Sequence, residues 1–119
     1  MPPPYPPIPD LENFSRSELT QMGEDYLAYS DEQWTAAWDE AEEACRLRAL
    51  ALLYGFIAQR FVHRNPRMSQ RCGRGSERAV TRLQGHWSLA AEYRDLAQEV
   101  EISSKIAFES AEQRNTGAW

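Results

Sequence analysis

The feature that most constrains the fold is the stretch over residues 31–64, which contains no strong helix breaker. It follows Ser30 and Gln33, whose spacing matches a capping box, in which two side chains satisfy free amides at a helix start. The stretch ends before Pro66, because proline lacks an amide donor and disfavours helical geometry in the residue before it. The sequence therefore predicts a helix over 31–64. Because this helix would be about 50 Å long, it is either broken at Gly55 or part of an elongated molecule.

Apolar residues follow the helical period through this segment in two neighbouring stripes. The first stripe contains Trp34, Trp38, Ala41, Cys45, Leu52 and Phe56, and the second contains Leu50, Leu53, Ile57 and Phe61. The nearly apolar run at 49–58 is much shorter than the roughly 20 residues that span a bilayer. It predicts a buried helix and no membrane partner.

The segments on either side complete a helical pattern. Ser15 followed by Glu18 is a second capping box and predicts a short helix over 16–28. Residues 65–76 are rich in arginine and glycine and show no periodicity, which predicts a loop. Ser76 then caps a helix over 77–112, in which two consecutive serines near residue 103 mark a place for a kink. No strand pattern appears, and no heptad series long enough for a regular coiled coil.

The predicted fold class is therefore all-α, with a short helix followed by a long antiparallel helical hairpin. A chain of 119 residues is one domain on size alone, and we place the helical domain at 15–112. The first nine residues contain six prolines, so residues 1–14 are predicted to form an extended arm. Tyr5 and Ile8 are its predicted contacts with a neighbouring chain. Residues 113–119 form the tail.

Charge is distributed unevenly in a chain whose net charge is −5. Residues 1–45 hold eleven acidic side chains and one basic one, whereas residues 46–86 hold nine arginines and one glutamate. The planar guanidinium of arginine suits bidentate pairing with carboxylate or phosphate. The predicted partner- or anion-binding residues are Arg60, Arg64, Arg67, Arg71, Arg74, Arg78 and Arg82. The predicted acidic counter-surface on a neighbouring copy contains Asp31, Glu32, Asp39, Glu40, Glu42 and Glu43.

Catalytic and metal chemistry find little support in the residue spacing. Histidine and cysteine never stand at the i, i+3 or i, i+4 spacing that places two metal ligands on one helix face. The acidic residues at 39–43 face several directions on a helix, as a solvated surface does. We therefore expect no catalytic residue, no metal and no cofactor, and a protein that is not an enzyme. Two cysteines make no disulfide framework, which favours an intracellular setting.

The organisation of the chain resembles that of small virion proteins of tailed bacteriophages, in particular head-to-tail adaptors and connectors. The likeness is carried by "MPPPYPPIP", the helical hairpin over 31–112, the loop "NPRMSQRCGRGS" and the tail that ends in Trp119. It implies a non-enzymatic assembly protein that forms a ring with other copies of itself and bridges neighbouring proteins, in the virion or in the host cytoplasm.

The alternative is a small nucleic-acid-binding or regulatory helical protein that uses the arginine-rich segment 60–82. A hairpin tip would gather these cations into one region, as phosphate binding requires. Against this hypothesis, no aromatic residue lies between Phe61 and Trp87 to stack on bases.

Overall fold

The computed structural model describes residues 11–115, and these residues form two long helices. Helix α1 is Arg16–Arg60 and helix α2 is Pro66–Asn115, and a short 3-10 turn at Leu11–Asn13 precedes them. The predicted all-α fold with two long helices is confirmed. Over the described residues, neither helix contains an apolar window long enough to cross a membrane. Tyr5 and Ile8 lie outside the described residues, as do the rest of the arm up to residue 10 and the tail from residue 116.

Helix α1 begins where the sequence predicts. The Ser15 hydroxyl accepts a hydrogen bond from the Glu18 amide (3.2 Å) and donates one to the Glu18 carboxylate (3.1 Å), so that a free amide of the first turn is satisfied. The predicted break between residues 28 and 31 is wrong, because α1 is continuous there. Ser30 is buried inside the helix, and its hydroxyl donates to the Ala97 carbonyl of α2 at 2.9 Å. The serine that resembled a cap holds the two helices together.

The predicted loop over 65–76 is also wrong, because α2 begins at Pro66. The Asn65 side chain accepts a hydrogen bond from the Met68 amide at 3.2 Å. Asparagine is a strong N-cap, and proline suits the first helical position, where its missing amide has no partner to lose. The Asn-Pro pair thus starts a helix, and Ser76 lies within α2. Helix α1 ends earlier than predicted, at Arg60.

The chain divides into two compact units. The described part of the first unit is residues 11–35 and 93–115. There the Ser104 hydroxyl donates to the Gly23 carbonyl at 2.8 Å, and Ser30 donates to Ala97 as described above. In both pairs the two residue numbers add up to 127, so the helices of this unit pack antiparallel in one register.

The second unit is residues 36–92. Two serines of α2 donate here to α1 carbonyls: Ser76 to Ala51 at 2.9 Å and Ser69 to Ala58 at 2.6 Å. The residue numbers again add up to 127 in each pair. A serine hydroxyl is short, so each of these bonds requires the two helix backbones to approach closely.

The close approach follows from small residues at every seventh position. In α1 these are Gly23, Ser30, Ala37, Ala44, Ala51 and Ala58, and in α2 they are Ser69, Ser76, Ala90, Ala97, Ser104 and Ala111, with Leu83 as the exception. A seven-residue repeat is typical of antiparallel coiled coils. The expectation that the chain has no long heptad series is therefore wrong, because the repeat is carried by small residues and not by large apolar ones.

The packed interior is correspondingly small in volume. Of the twelve buried apolar residues in the described part of the chain, eight are alanines. The larger ones are Leu19, Tyr26 and Val100 in the first unit and Leu47 in the second. Alanine contributes little apolar area, so hydrophobic stabilisation from these contacts is modest. Most large apolar side chains of the second unit therefore lie outside the contact between its two helices.

Candidate functional site: an exposed apolar stripe and a basic groove

Large apolar side chains of the second unit lie on the outside of α1. Trp38, Leu52 and Phe56 are 70%, 67% and 60% exposed. Helical spacing places them on one face with the exposed Cys45 and Ala49, within about 60° of one another at 100° per residue. We call these five residues the apolar stripe. The prediction that the run over 49–58 is buried helix is wrong for Ala49, Leu52 and Phe56, because small residues occupy the contact with α2.

Other exposed apolar groups accompany the stripe. Leu53 is next to it on α1, and Val80 and Trp87 stand one heptad apart on α2. Isolated apolar residues are common on protein surfaces, but contiguous apolar patches mark interaction sites. The second unit therefore exposes several large apolar side chains on both of its helices.

A basic groove is the second feature of this unit. Four of the seven predicted arginines, Arg67, Arg71, Arg78 and Arg82, line one cavity of about 610 Å³. Its remaining wall is largely apolar and consists of Leu47, Leu50, Tyr54, Met68, Cys72, Gly75 and Ala79, together with Asn65. We call this cavity the arginine groove. Arg74 lies beside it in a shallower depression that Arg78 and Arg82 share. Arg60 and Arg64, at the end of α1 and in the connecting turn, line neither cavity.

The side chains of the seven arginines have few interaction partners within the described part of the chain. Within residues 11–115, none of their guanidinium groups forms an ion pair or a hydrogen bond. Hydrogen bonds from Arg46 lower the pKa of the Glu43 carboxyl, and the positive charge of Arg82 makes a smaller contribution in the same direction. Cations without intramolecular partners are available to an external anion, and a bidentate guanidinium prefers carboxylate or phosphate.

The six predicted acidic residues are divided between the two units. Asp31 and Glu32 belong to the first unit and the other four to the second. Two of those four have partners in the chain: Glu43 makes a bidentate pair with Arg46 at 2.6 and 3.0 Å, and Glu40 contacts Nδ1 of His86. Asp39 and Glu42 are exposed. Two of the six residues therefore already have partners within the chain, and the acidic counter-surface stays a prediction.

No three histidine, cysteine, aspartate or glutamate side chains within residues 11–115 come together as a metal site. No family model, curated protein or solved structure matches the chain. The apolar stripe and the arginine groove are therefore interpreted from their own chemistry.

The sequence alone does not predict the apolar wall of the groove or the outward position of the stripe. One signal for the groove was present. If the Asn-Pro pair is taken as a helix start, five arginines from Arg67 to Arg82 stand at i, i+4, i+7, i+11 and i+15. That spacing predicts one basic helix face.

Proposed function

We propose that the protein is a non-enzymatic assembly protein whose copies associate through the apolar stripe. The observation that carries the proposal is the exposure of Trp38, Leu52 and Phe56 beside a helix contact made of alanines. Burying a large apolar side chain contributes about 1.5–3 kcal/mol. A chain that leaves these side chains in water and fills its interior with alanine gains most by covering the stripe with another helical surface.

A second copy is the partner to examine first, because the stripe needs an apolar surface of similar length. A two-helix contact is also short of buried area, as small folds generally are, and oligomerisation is a common remedy. The resemblance to phage adaptors makes a ring the form of assembly to look for, with neighbouring virion proteins as further partners. That narrower identification rests on organisation alone.

Absolute mass in solution by light scattering, over about 1–100 µM protein in view of typical weak self-association, tests the proposal. We expect a concentration-dependent oligomer. Phe56→Glu should weaken it at least tenfold, a loss of about 1.4 kcal/mol. The matched control is Ile102→Glu, which places the same charge at a residue of similar exposure, 58% against 60%, in the other unit. A wild-type chain that stays monomeric over the whole range would contradict the proposal, as would equal effects of the two variants.

A second candidate function is nucleic-acid binding by the arginine-rich segment 60–82. It is favoured by the absence of intramolecular ion pairs at its seven arginines within the described residues. Binding through about six phosphate contacts should fall by orders of magnitude between 50 and 200 mM salt. A gain of mass on adding a short DNA duplex, lost at the higher salt concentration, is the expected signature.

A further inference from the structure

The arginine groove combines two properties that constrain its occupant. Its cations require an anion, and its wall of Leu50, Tyr54 and Met68 requires an apolar group beside that anion. We infer that the groove of one copy receives the α1 segment 24–31 of a second copy, with Leu27 inserted between Arg71 and Arg78. The inference rests on the proposed self-association and adds a second contact, which does not involve the apolar stripe.

The spacing of charges matches on the two sides of this contact. Arg71 and Arg78 are seven residues apart on α2, about 10.5 Å along the helix at 1.5 Å per residue. Glu24 and Asp31 are separated by the same interval on α1, and both are exposed. Two helices whose axes lie side by side can therefore form both carboxylate–guanidinium pairs at once, whether their chains run in the same or in opposite directions.

The shapes between the charges also correspond. On α2, Gly75 lies between the two arginines and contributes to the groove wall. A Cβ at residue 75 would stand 3.2 Å from the Tyr54 ring, so a larger residue would have to displace that ring. On α1, Leu27 lies between the two carboxylates and is 43% exposed. A protruding leucine thus faces a position with no side chain, as a knob faces a hole in helix packing.

Net charge supports a contact between unlike units of two copies. The described residues of the first unit hold eleven acidic and four basic side chains, a net charge of −7. The second unit holds six acidic and nine basic side chains, a net charge of +3. Opposite charges favour association of the first unit of one copy with the second unit of another.

Other occupants fit less well. A nucleic acid brings phosphates but no aliphatic side chain for Leu50 and Met68, and the net charge of −7 on the first unit repels it. The other exposed large apolar residue in the described part of the first unit is Ile102, and it has the cationic Lys105 three residues away on the same face. In segment 24–31 every charged side chain is a carboxylate.

A contact of this type joins two different surfaces, so it is heterologous. Each copy offers one groove and one acidic segment, and the association propagates head-to-tail until it closes into a ring or grows as a filament. The stripe and the groove then contribute separately to the mass of the assembly.

The test is a charge exchange in the full chain, with mass measured by light scattering at 50 and 300 mM salt. Arg71→Glu with Arg78→Glu should weaken association at least tenfold, about 1.4 kcal/mol, and so should Glu24→Arg with Asp31→Arg. The chain that carries all four substitutions should recover most of the wild-type mass, because both pairs are restored with reversed sign. Arg60→Glu with Arg64→Glu makes the same change of net charge outside the groove and should have little effect. Leu27→Ser should weaken association without changing its salt dependence.

The outcomes separate this inference from the proposed function. If the groove variants keep the wild-type mass while Phe56→Glu reduces it, the inference is overturned and assembly through the stripe stands. If Phe56→Glu has no effect and the groove variants reduce the mass, the stripe proposal fails and the groove contact stands. Failure of the four-substitution chain to recover overturns the inference, since it shows that segment 24–31 is not the occupant. Mass gained on adding a DNA duplex, and lost in the Arg71→Glu, Arg78→Glu chain, identifies nucleic acid as the occupant and overturns it as well.

Discussion

Ser104 donates a hydrogen bond of 2.8 Å to the carbonyl oxygen of Gly23, and this bond lies in the buried contact between the two helices of the first unit. The ring of Phe108, one turn further along α2, lies directly over the same glycine. Glycine allows both contacts because it has no side chain. The local geometry of the first unit therefore depends on a residue that, in a helix, is usually a weak point.

Gly23→Ala tests that dependence. A Cβ at residue 23 would stand 2.8 Å from two carbon atoms of the Phe108 ring, so the ring must move. Overpacking of this kind costs about 1–3 kcal/mol, which exceeds the gain of up to about 1 kcal/mol in helix propensity. We expect a net loss of about 1 kcal/mol in the free energy of unfolding, measured with urea. Gly85→Ala is the control with the opposite sign: apart from its chain neighbours and the nearby backbone of its own helix, no atom of the described residues lies within 4 Å of the added Cβ, and the substitution should be stabilising.

Ser104→Ala should remove the interhelical hydrogen bond and leave the helix propensity slightly improved. The expected net loss is about 1 kcal/mol, since a buried hydrogen bond contributes about that amount. Ser88→Ala is the matched control, because the exposed Ser88 hydroxyl donates only to Gln84 within its own helix. Its effect on the urea midpoint should be near zero or stabilising. Equal destabilisation by the two variants would show that the interhelical bond contributes nothing.

Two serines show why the helices are predictable from the sequence while their lengths are not. Ser15 and Ser30 both stand three residues before a glutamate or glutamine, and only Ser15 caps a helix. A short hydroxyl can satisfy a free amide of its own chain segment or a carbonyl of a neighbouring helix, and the local pattern is the same in both cases. The choice depends on whether another helix lies within reach, which is tertiary information.

For the candidate site, as for the helices, the sequence predicts which residues take part but not how tertiary packing places them. Charge alone identifies the arginines, and helical spacing along α2 places five of them on one face. The stripe is visible in the sequence as an apolar pattern, but hydrophobic periodicity predicts that its largest residues are buried. In this chain the contact between the helices is made by the alanines at 37, 44 and 51, and large side chains at the same positions would hold the backbones too far apart for the serine hydrogen bonds.

Glu40 and His86 form a polar contact in the second unit. A double-mutant cycle measures what this contact contributes to the free energy of unfolding. Both side chains are about three-quarters buried, at 26% and 28% exposure. His86→Leu leaves Glu40 without this partner and should cost about 1–2 kcal/mol, less than for a fully buried pair because water still reaches the site. Adding Glu40→Leu should recover most of that loss, since apolar replacement of a paired site is often neutral. Strictly additive effects would show that the two side chains do not interact in solution.

Tyr29 provides a prediction about alkaline pH. Burial raises the pKa of its hydroxyl above 10.0, and the nearby Glu32 raises it further. The hydroxyl also has no hydrogen-bond partner within the described residues. A raised pKa in the folded state means that the neutral hydroxyl supports folding below the unfolded pKa, and that stability is lost as pH rises through the folded pKa. Tyr29→Phe should therefore lessen the drop in urea midpoint between pH 9 and pH 11, values chosen on either side of the ordinary tyrosine pKa. Glu32→Gln removes only the secondary cause and should lessen the drop by a smaller amount.

At pH 7, Tyr29→Phe should be neutral or stabilising by up to about 1 kcal/mol, because it removes a buried polar group that has no partner. A Tyr29→Phe variant with the wild-type alkaline drop would show that this hydroxyl ionises equally easily in the folded and unfolded chain.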